Sequence, residues 1–206
     1  MKYLFLTLLL ALPALCLGQT YERHYKITSN NDKVGYLIAR QKVEGDMTHY
    51  ELISQVDTRL LIRINLDTEI HSSYDNGVLQ YSSSTTYLNG NVHTNTEIIK
   101  QDGSYMIRKD EHSMKIFESE ILLSASKLYF NEPGEEAKLI SESEGVIKQL
   151  EKTGDKKYTL TTSGNKNEKS VYTYSSDQGL YQIEVQRAHL PDIRIKRVRN
   201  ANEPED

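Results

Sequence analysis

The chain has 206 residues, 37% of them hydrophobic and 26% charged, with 11 Gly, 4 Pro, one Cys and no Trp. That is enough for one domain with a real core, and the balance excludes wholesale disorder and collagen-like structure. A net charge of −4 removes the basic footprint that sequence-independent nucleic-acid binding needs, and a lone cysteine removes any disulfide framework.

The N-terminus reads as an export leader. Met1-Lys2-Tyr3 is a short positive start, and Leu4 to Leu17 is an apolar run broken only by Thr7 and Pro13. The chain then turns polar at Gly18-Gln19-Thr20, which places a cleavage after Gly18, or one residue later. A signal peptide over 1–18 follows. A membrane anchor needs roughly 20 apolar residues, more than this run supplies. A lipoprotein signal needs a small residue before Cys16, where Leu15 stands. The expected mature chain is therefore a soluble protein of the periplasm or the extracellular space, with no cysteine and no membrane span.

Residues 19–199 read as a single antiparallel β domain, and 200–206 as a disordered acidic tail. Lys33 to Val43 is apolar on both parities in its first half, with Val34, Tyr36 and Ile38 opposite Leu37 and Ala39, the pattern of a strand covered on both faces. Met47 to Asp57 alternates Tyr50, Leu52 and Val56 against His49, Glu51, Gln55 and Asp57. Arg59 to His71 is the clearest segment: Leu60, Ile62, Ile64, Leu66 and Ile70 share one parity, and Arg63, Asn65, Asp67, Glu69 and His71 the other. Period two over that length specifies a strand with one buried and one wetted face.

Turn chemistry separates the runs. Asn30-Asn31-Asp32, Glu44-Gly45-Asp46, Asp75-Asn76-Gly77, Asn89-Gly90-Asn91 and Gln101-Asp102-Gly103 carry residues that accept the positive φ of tight hairpins. Thr153-Gly154-Asp155, Ser163 to Asn167 and Asp177-Gln178-Gly179 repeat the signal. Such short connections force antiparallel neighbours, so the fold expected is mainly β: a large meander of roughly a dozen strands curled into an open or half barrel. One interruption is expected near 119–130. Ile121, Leu122, Ala125, Leu128 and Tyr129 have helical spacing before Asn131-Glu132-Pro133-Gly134 stops them, which predicts one short helix as a plug or lid over a curved sheet.

Motifs that carry chemistry are absent: there is no G-x-S-x-G elbow, P-loop, dinucleotide fingerprint or H-E-x-x-H. Glu69 with His71, and His93 with Glu97, share strand faces at spacings that suit two metal ligands, yet no third ligand is spaced to join them. Asp57, Asp67 and Glu69 are the candidate acid pairs for glycoside hydrolysis, but no Trp and only 3 Phe are present to stack on sugars. Glu135-Glu136, Glu142 and Glu144 read as solvated loop and strand-face residues. The sequence therefore predicts a non-catalytic protein with no cofactor and no metal site.

Geometry is more informative than motif for this chain. A sheet of this many strands must curl, and its concave face is either filled by the protein's own side chains or left open for an apolar ligand. Tyr50, Leu52, Leu60, Ile62, Ile64, Leu66 and Ile70 are the residues that would line it.

The Gly-Gln leader end is similar to those of secreted proteins of Bacteroidetes-type bacteria. The opening hairpin from Tyr25 to Val43 with Val34-Gly35, the stretch Ile121-Leu122-Leu123-Ser124 through Leu128-Tyr129-Phe130-x-x-Pro133, and Tyr172-x-Tyr174 followed by Gly179-Leu180 resemble an uncharacterised β-rich secreted family. That resemblance transfers no catalytic residues. The architecture it implies is similar to the open half-barrel of periplasmic lipoprotein-localisation carriers, though such carriers have several covering helices where this chain has one candidate. Two readings follow. One is a carrier or binding module for an apolar small molecule or lipid. The other is a structural or interaction protein of the cell envelope with a filled core, recruiting a protein partner by edge addition.

Overall fold

The computed structural model describes residues 18–59, 63–110, 112–116, 119–134, 136–162, 165–177, 179–187 and 192–198. The leader up to residue 17 and the tail from 199 lie outside them. The described chain forms one antiparallel sheet. Its first half contains β1 (Gln19–Ser29), β2 (Asp32–Glu44), β3 (Met47–Arg59), β4 (Arg63–Asp75), β5 (Val78–Leu88), β6 (Asn91–Gln101), β7 (Ser104–Lys109) and β8 (His112–Ile116). The second half contains β9 (Glu136–Ser141), β10 (Val146–Gly154), β11 (Lys157–Thr162), β12 (Asn165–Tyr174), β13 (Leu180–Arg187) and β14 (Ile193–Val198). The 14 strands lie in the order β8-β7-β6-β5-β4-β3-β2-β1-β14-β13-β12-β11-β10-β9, so β1 and β14 join the two halves at the centre.

The turns form where Asn, Asp and Gly allow them. Asn30 and Asn31, Asn76 and Gly77, Asn89 and Gly90, and Asp102 and Gly103 are paired positive-φ residues, the two-residue turn whose twist matches the flanking strands. At the β10–β11 hairpin the turn falls on Asp155 and Lys156, one residue past the expected site, with Lys156 at φ 52°. The run from Arg59 to His71 is divided between two strands: β3 ends at Arg59, β4 begins at Arg63, and Arg59 pairs with Arg63. The apolar parity holds through β4, where Ile70 is buried while Glu69 and His71 are exposed. In β2 only one face is covered. Leu37 and Ala39 are buried, Ile38 is half-buried and Tyr36 is exposed, so the expectation of two covered faces does not hold.

Register shifts at Ile27/Thr28, Ser73/Tyr74, Thr86/Tyr87, Lys152/Gly154, Thr161/Thr162 and Thr173/Tyr174 bend the sheet. The ends of the strand order are not hydrogen-bonded to each other as a ladder. The turn after β9 instead docks on the first half: Thr96 Oγ1 donates to the Ser143 carbonyl at 3.1 Å, and Lys109 Nζ to the Glu144 carbonyl at 3.4 Å. Gly145, at φ 68°, makes this approach possible, since a Cβ there would come 2.9 Å from Ile107 Cγ2.

The stretch from 119 to 134, which joins β8 to β9, is an extended strap along the concave face. It is not the short helix that the spacing predicts; one 3-10 turn, Lys127–Tyr129, is its regular element. The reason is competition for its backbone. Ala125 N–H donates to the Ile140 carbonyl and Ile140 N–H to the Leu123 carbonyl, so β9 takes the groups a helix would use. The resulting parallel bridge, Ser124 to Ile140, also covers the outer edge of β9.

Tyrosine takes the place that Trp and Phe have in other cores. Tyr25, Tyr50, Tyr74, Tyr105, Tyr129, Tyr158, Tyr172 and Tyr174 are all buried. Tyr25 stacks edge-on against Tyr129 with ring centroids 5.1 Å apart, and Tyr50 against Tyr74 at 5.4 Å. Their hydroxyls serve the backbone: Tyr25 donates to the Leu180 carbonyl at 3.1 Å, Tyr105 to Leu79 at 2.8 Å and Tyr174 to Leu128 at 3.0 Å.

Burial pushes the phenols of Tyr25, Tyr50, Tyr74, Tyr105, Tyr129, Tyr172 and Tyr174 above their ordinary value of 10.0. The unfolded chain loses these protons near pH 10, before the folded chain does, so it binds fewer protons above that pH. The stability held by the neutral phenols is complete below about pH 10 and falls as pH rises beyond it. In a combined ultraviolet and circular-dichroism titration, the phenols of Tyr25, Tyr74, Tyr129, Tyr172 and Tyr174, which burial shifts furthest, should ionise only with the cooperative loss of β structure. Gradual ionisation with the sheet intact would contradict this packing.

Candidate functional site

The strap divides the concave face in two. At the end of the sheet where the strap enters and leaves, Ile121, Leu128, Tyr129 and Phe130 are buried against the inner side chains of the strands. A closed ring of bonds fixes this entry. Leu79 N–H donates to the Ile121 carbonyl at 2.9 Å, Ile121 N–H donates to the Tyr105 hydroxyl at 3.2 Å, and Tyr105 donates back to the Leu79 carbonyl. Lys127 Nζ donates to the Leu122 carbonyl at 2.8 Å and lies 4.8 Å from the Tyr74 ring centroid; burial lowers its pKa.

Of the seven residues expected to line a concave site, Tyr50, Leu52 and Ile70 belong to this covered region, with relative exposures of 4%, 5% and 7%. The Tyr50 and Phe130 ring centroids are 5.8 Å apart. These three side chains are consumed by the protein's own core. Ile64 and Leu66 lie further along the same face of β4 and are half-buried, outside the packed core cluster. Leu60 and Ile62 lie outside the described residues.

The register shows what surrounds Leu66. It pairs with Val56 on β3 and Leu88 on β5, and the transverse row continues through Gly35, Ile27, Ile195, Ile183 and Tyr172 to Tyr158. An apolar band therefore crosses nine strands of the inner face, from β11 to β5. Its β11–β1 part is in the core, whereas Leu66 and Leu88 remain half-buried and outside it.

A second feature is polar and buried. Glu142, in the β9–β10 turn, has a relative exposure of 1%, which overturns its assignment to a solvated face. Its carboxylate accepts from Ala125 N–H at 2.9 Å, Ser126 N–H at 3.1 Å, Ser126 Oγ at 2.6 Å and Ser72 Oγ at 3.2 Å. Ser82 Oγ lies 3.1 Å from Ser72 Oγ, and Ser124 Oγ 3.1 Å from Ser126 Oγ. Donors at this spacing satisfy a buried carboxylate and pin the strap to the sheet. The cluster is enclosed, so its role is structural. A sequence signal for it does exist: the inward parity of β5 carries Ser82 and Ser84 opposite Ser72 and Ile70 on β4, where a purely apolar core would carry aliphatic residues throughout. Ser72 and Ser82 find polar partners in each other and in Glu142, whereas the buried Ser84 Oγ has none among the described residues.

The outer face carries charge in register. Glu22, Arg40, Glu51 and His71 sit directly opposite one another on β1 to β4. Arg40 reaches Glu22 at 2.6 Å and Glu51 at 2.7 Å, and Glu97 and Arg108 continue the row on β6 and β7 with a 3.1 Å bridge. Alternating sign across strands stabilises pairing and keeps this surface wet. Glu69 and His71 lie on this face, as do Asp57 and Asp67. Among the described residues no three metal-type side chains converge. Arg40, Glu51 and His71 border a shallow groove of about 480 Å³ with Lys42, His49 and Tyr81, and the three candidate acids Asp57, Asp67 and Glu69 do not line it.

No helix of the described residues is long and apolar enough to cross a membrane. No curated protein matches the chain. Among solved structures, a β-barrel-like protein of domain of unknown function DUF1849 from Brucella abortus is similar in fold, with a TM-score of 0.57 at 9% identity. The match covers 86% of this chain and 94% of that one. A family model described as a domain of unknown function, DUF6134, matches residues 25–198, from the middle of β1 to the end of β14, and the chain belongs to that family.

Proposed function

We propose that this protein is an exported, non-catalytic binding protein of the cell envelope that seats an apolar ligand, such as the acyl chain of a lipid, at the strap-free end of its concave sheet. The observation that carries this reading is the state of Ile64, Leu66 and Leu88. They face the concave side on neighbouring strands, yet they are half-buried and outside the core that takes up Leu52 and Ile70. Inward aliphatic side chains left uncovered are what an apolar guest would bury, at roughly 25 cal/mol per Å² removed from water. The apolar leader with its Gly18 cleavage position supports export.

The test follows from the division of the stripe. Leu66→Glu places a charge on the uncovered part without opening the packed core, so the variant should fold with a melting temperature near that of the parent. It should lose affinity for a fluorescent fatty acid by at least about tenfold. Unchanged binding in folded Leu66→Glu protein would remove this end of the sheet as the site.

A second reading is favoured by the strap itself, which fills much of the concave face with Ile121, Leu128, Tyr129 and Phe130. On that reading the protein is an interaction module with a solid interior. Its docking element is β8, which among the described residues pairs with β7 alone and presents a strand edge for addition of a partner strand. Native mass spectrometry of protein isolated from its own envelope separates the two readings. A stoichiometric apolar adduct supports the first; an adduct-free mass together with failure to bind fatty acid supports the second.

A further inference from the structure

One step from Leu66 and Leu88 towards the strap, the concave face changes chemistry. Ser54 on β3, Thr68 on β4, Thr86 on β5 and Thr94 on β6 stand directly opposite one another, and all four are half-buried. They share the parity of the buried Leu52, Ile70 and Ile98, so their hydroxyls face the concave side. Successive side chains on one face of a strand are roughly 7 Å apart, which sets this hydroxyl row alongside the apolar band of Val56, Leu66 and Leu88.

Deeper hydroxyls on this face are engaged or enclosed. Ser72 and Ser82 belong to the Glu142 cluster, Thr96 donates to the Ser143 carbonyl, and Ser84 is sealed at 2% exposure. Those of the row differ: among the described residues they bond only one another, with Thr68 Oγ1 3.4 Å from Thr86 Oγ1. Charge is missing here as well. From β2 to β6 the hydroxyl row and the rows on either side of it contain no charged residue, while the outer face of the same strands carries Arg40, Glu51, Glu69 and Glu97. A carboxylate or phosphate seated on this surface would leave water with no cation to meet it. A bare hydrocarbon chain would dry the hydroxyls without pairing them.

We propose that the apolar seat at the strap-free end selects an uncharged amphiphile, an acyl ester of the monoacylglycerol class, whose ester and hydroxyl groups pair with Ser54, Thr68, Thr86 and Thr94 while its chain lies along Leu66 and Leu88. This rests on the apolar-ligand reading above and names the class of ligand for it. Serine and threonine hydroxyls both donate and accept, so one row meets an ester carbonyl and a ligand hydroxyl at once. A site built to hydrogen-bond a ligand's polar group rejects an analogue without it far more strongly than a hydrophobic pocket rejects a missing methylene.

The experiment is calorimetric titration of the full mature chain with monolaurin and with laurate, one chain length with two head groups, at about pH 8 where the laurate carboxyl is ionised. Both lipids are kept below the concentrations at which they aggregate. Monolaurin should bind at least about tenfold tighter than laurate. Thr68→Val combined with Thr86→Val keeps the β-branched shape that strands favour, so this variant should fold, and it should bring monolaurin down to the affinity of laurate. Thr85→Val, on the outer face of β5 opposite Glu69 and Asn95, should keep the preference. Equal affinity of the parent for the two lipids, or a preference that survives in the Thr68→Val, Thr86→Val variant, overturns the uncharged-head assignment and leaves the apolar seat standing. Binding of neither lipid by the folded parent removes the seat itself, and this proposal with it.

Discussion

Glu142→Ala is expected to cost about 3–5 kcal/mol of unfolding free energy, as the loss of a buried charged acceptor with several donors does. The carboxylate accepts two backbone N–H groups of the strap and two serine hydroxyls, in a position only 1% exposed. Removing it strands donors of Ser126 and Ser72 inside the sheet and leaves a void beside them. Glu142→Gln keeps one acceptor oxygen and should lose less. The check is a urea titration of each variant, paired with limited proteolysis at Lys127. Detachment of the strap predicts faster cleavage at Lys127 in Glu142→Ala before global unfolding. A variant as stable and as resistant as the parent would mean that the strap is held by its aromatic contacts alone.

A second large loss is expected from Gly35→Ala. Gly35 lies within β2, paired with Ile27 on one side and Val56 on the other, beside the register shift at Ile27/Thr28. An added Cβ would fall 2.0 Å from the Gln55 carbonyl oxygen and 3.0 Å from Val56 Cα. Both obstacles are backbone, so neither can rotate away, and β2 and β3 must separate locally. A loss of about 3 kcal/mol is expected, at the upper end of overpacking costs. It should appear as a lower urea midpoint and as faster amide exchange along β2 and β3. A midpoint equal to the parent's would show that the close approach of these strands relaxes at no cost. Gly35 also interrupts the apolar row between Ile27 and Val56, so strand packing and the shape of the concave face depend on the same missing side chain.

The strands and most turns are legible in the sequence because they follow from neighbouring residues. Alternation in Met47–Asp57 and after Arg63 states which face is wet, and Asn76-Gly77 or Asn89-Gly90 states where the chain reverses. That β3 ends at Arg59 and a new strand begins at Arg63 is not legible, since Leu60 and Ile62 continue the parity of Ile64 in the sequence and no turn residue interrupts them. The strap misleads for a related reason. Ile121, Ala125 and Leu128 do have helical spacing, but spacing records only which residues favour burial. Burial comes instead from Tyr25, Tyr50, Tyr74 and Tyr105 on strands distant in sequence, and the backbone is claimed by β9 and Glu142. Glu142 itself reads as a surface acid, because nothing near it in sequence says that Ser72, Ser82 and Ser126 will surround it.

Local pattern is sufficient to specify a large antiparallel meander with hairpin connections, mainly β, and the inward parity of most of its strands. Period two and turn conformation are local properties, written residue by residue. How the inner stripe is used is instead a matter of long-range contact. Tyr50, Leu52 and Ile70 pack the chain's own strap, whereas Ile64 and Leu66 are left half-buried at the far end. Long-range contact also sets Arg23 against the strap, where it donates to the Tyr129 carbonyl. Both outcomes depend on β1 pairing with β14 and on the strap crossing beneath the curl, contacts between residues more than a hundred positions apart, whose free energy no local pattern encodes.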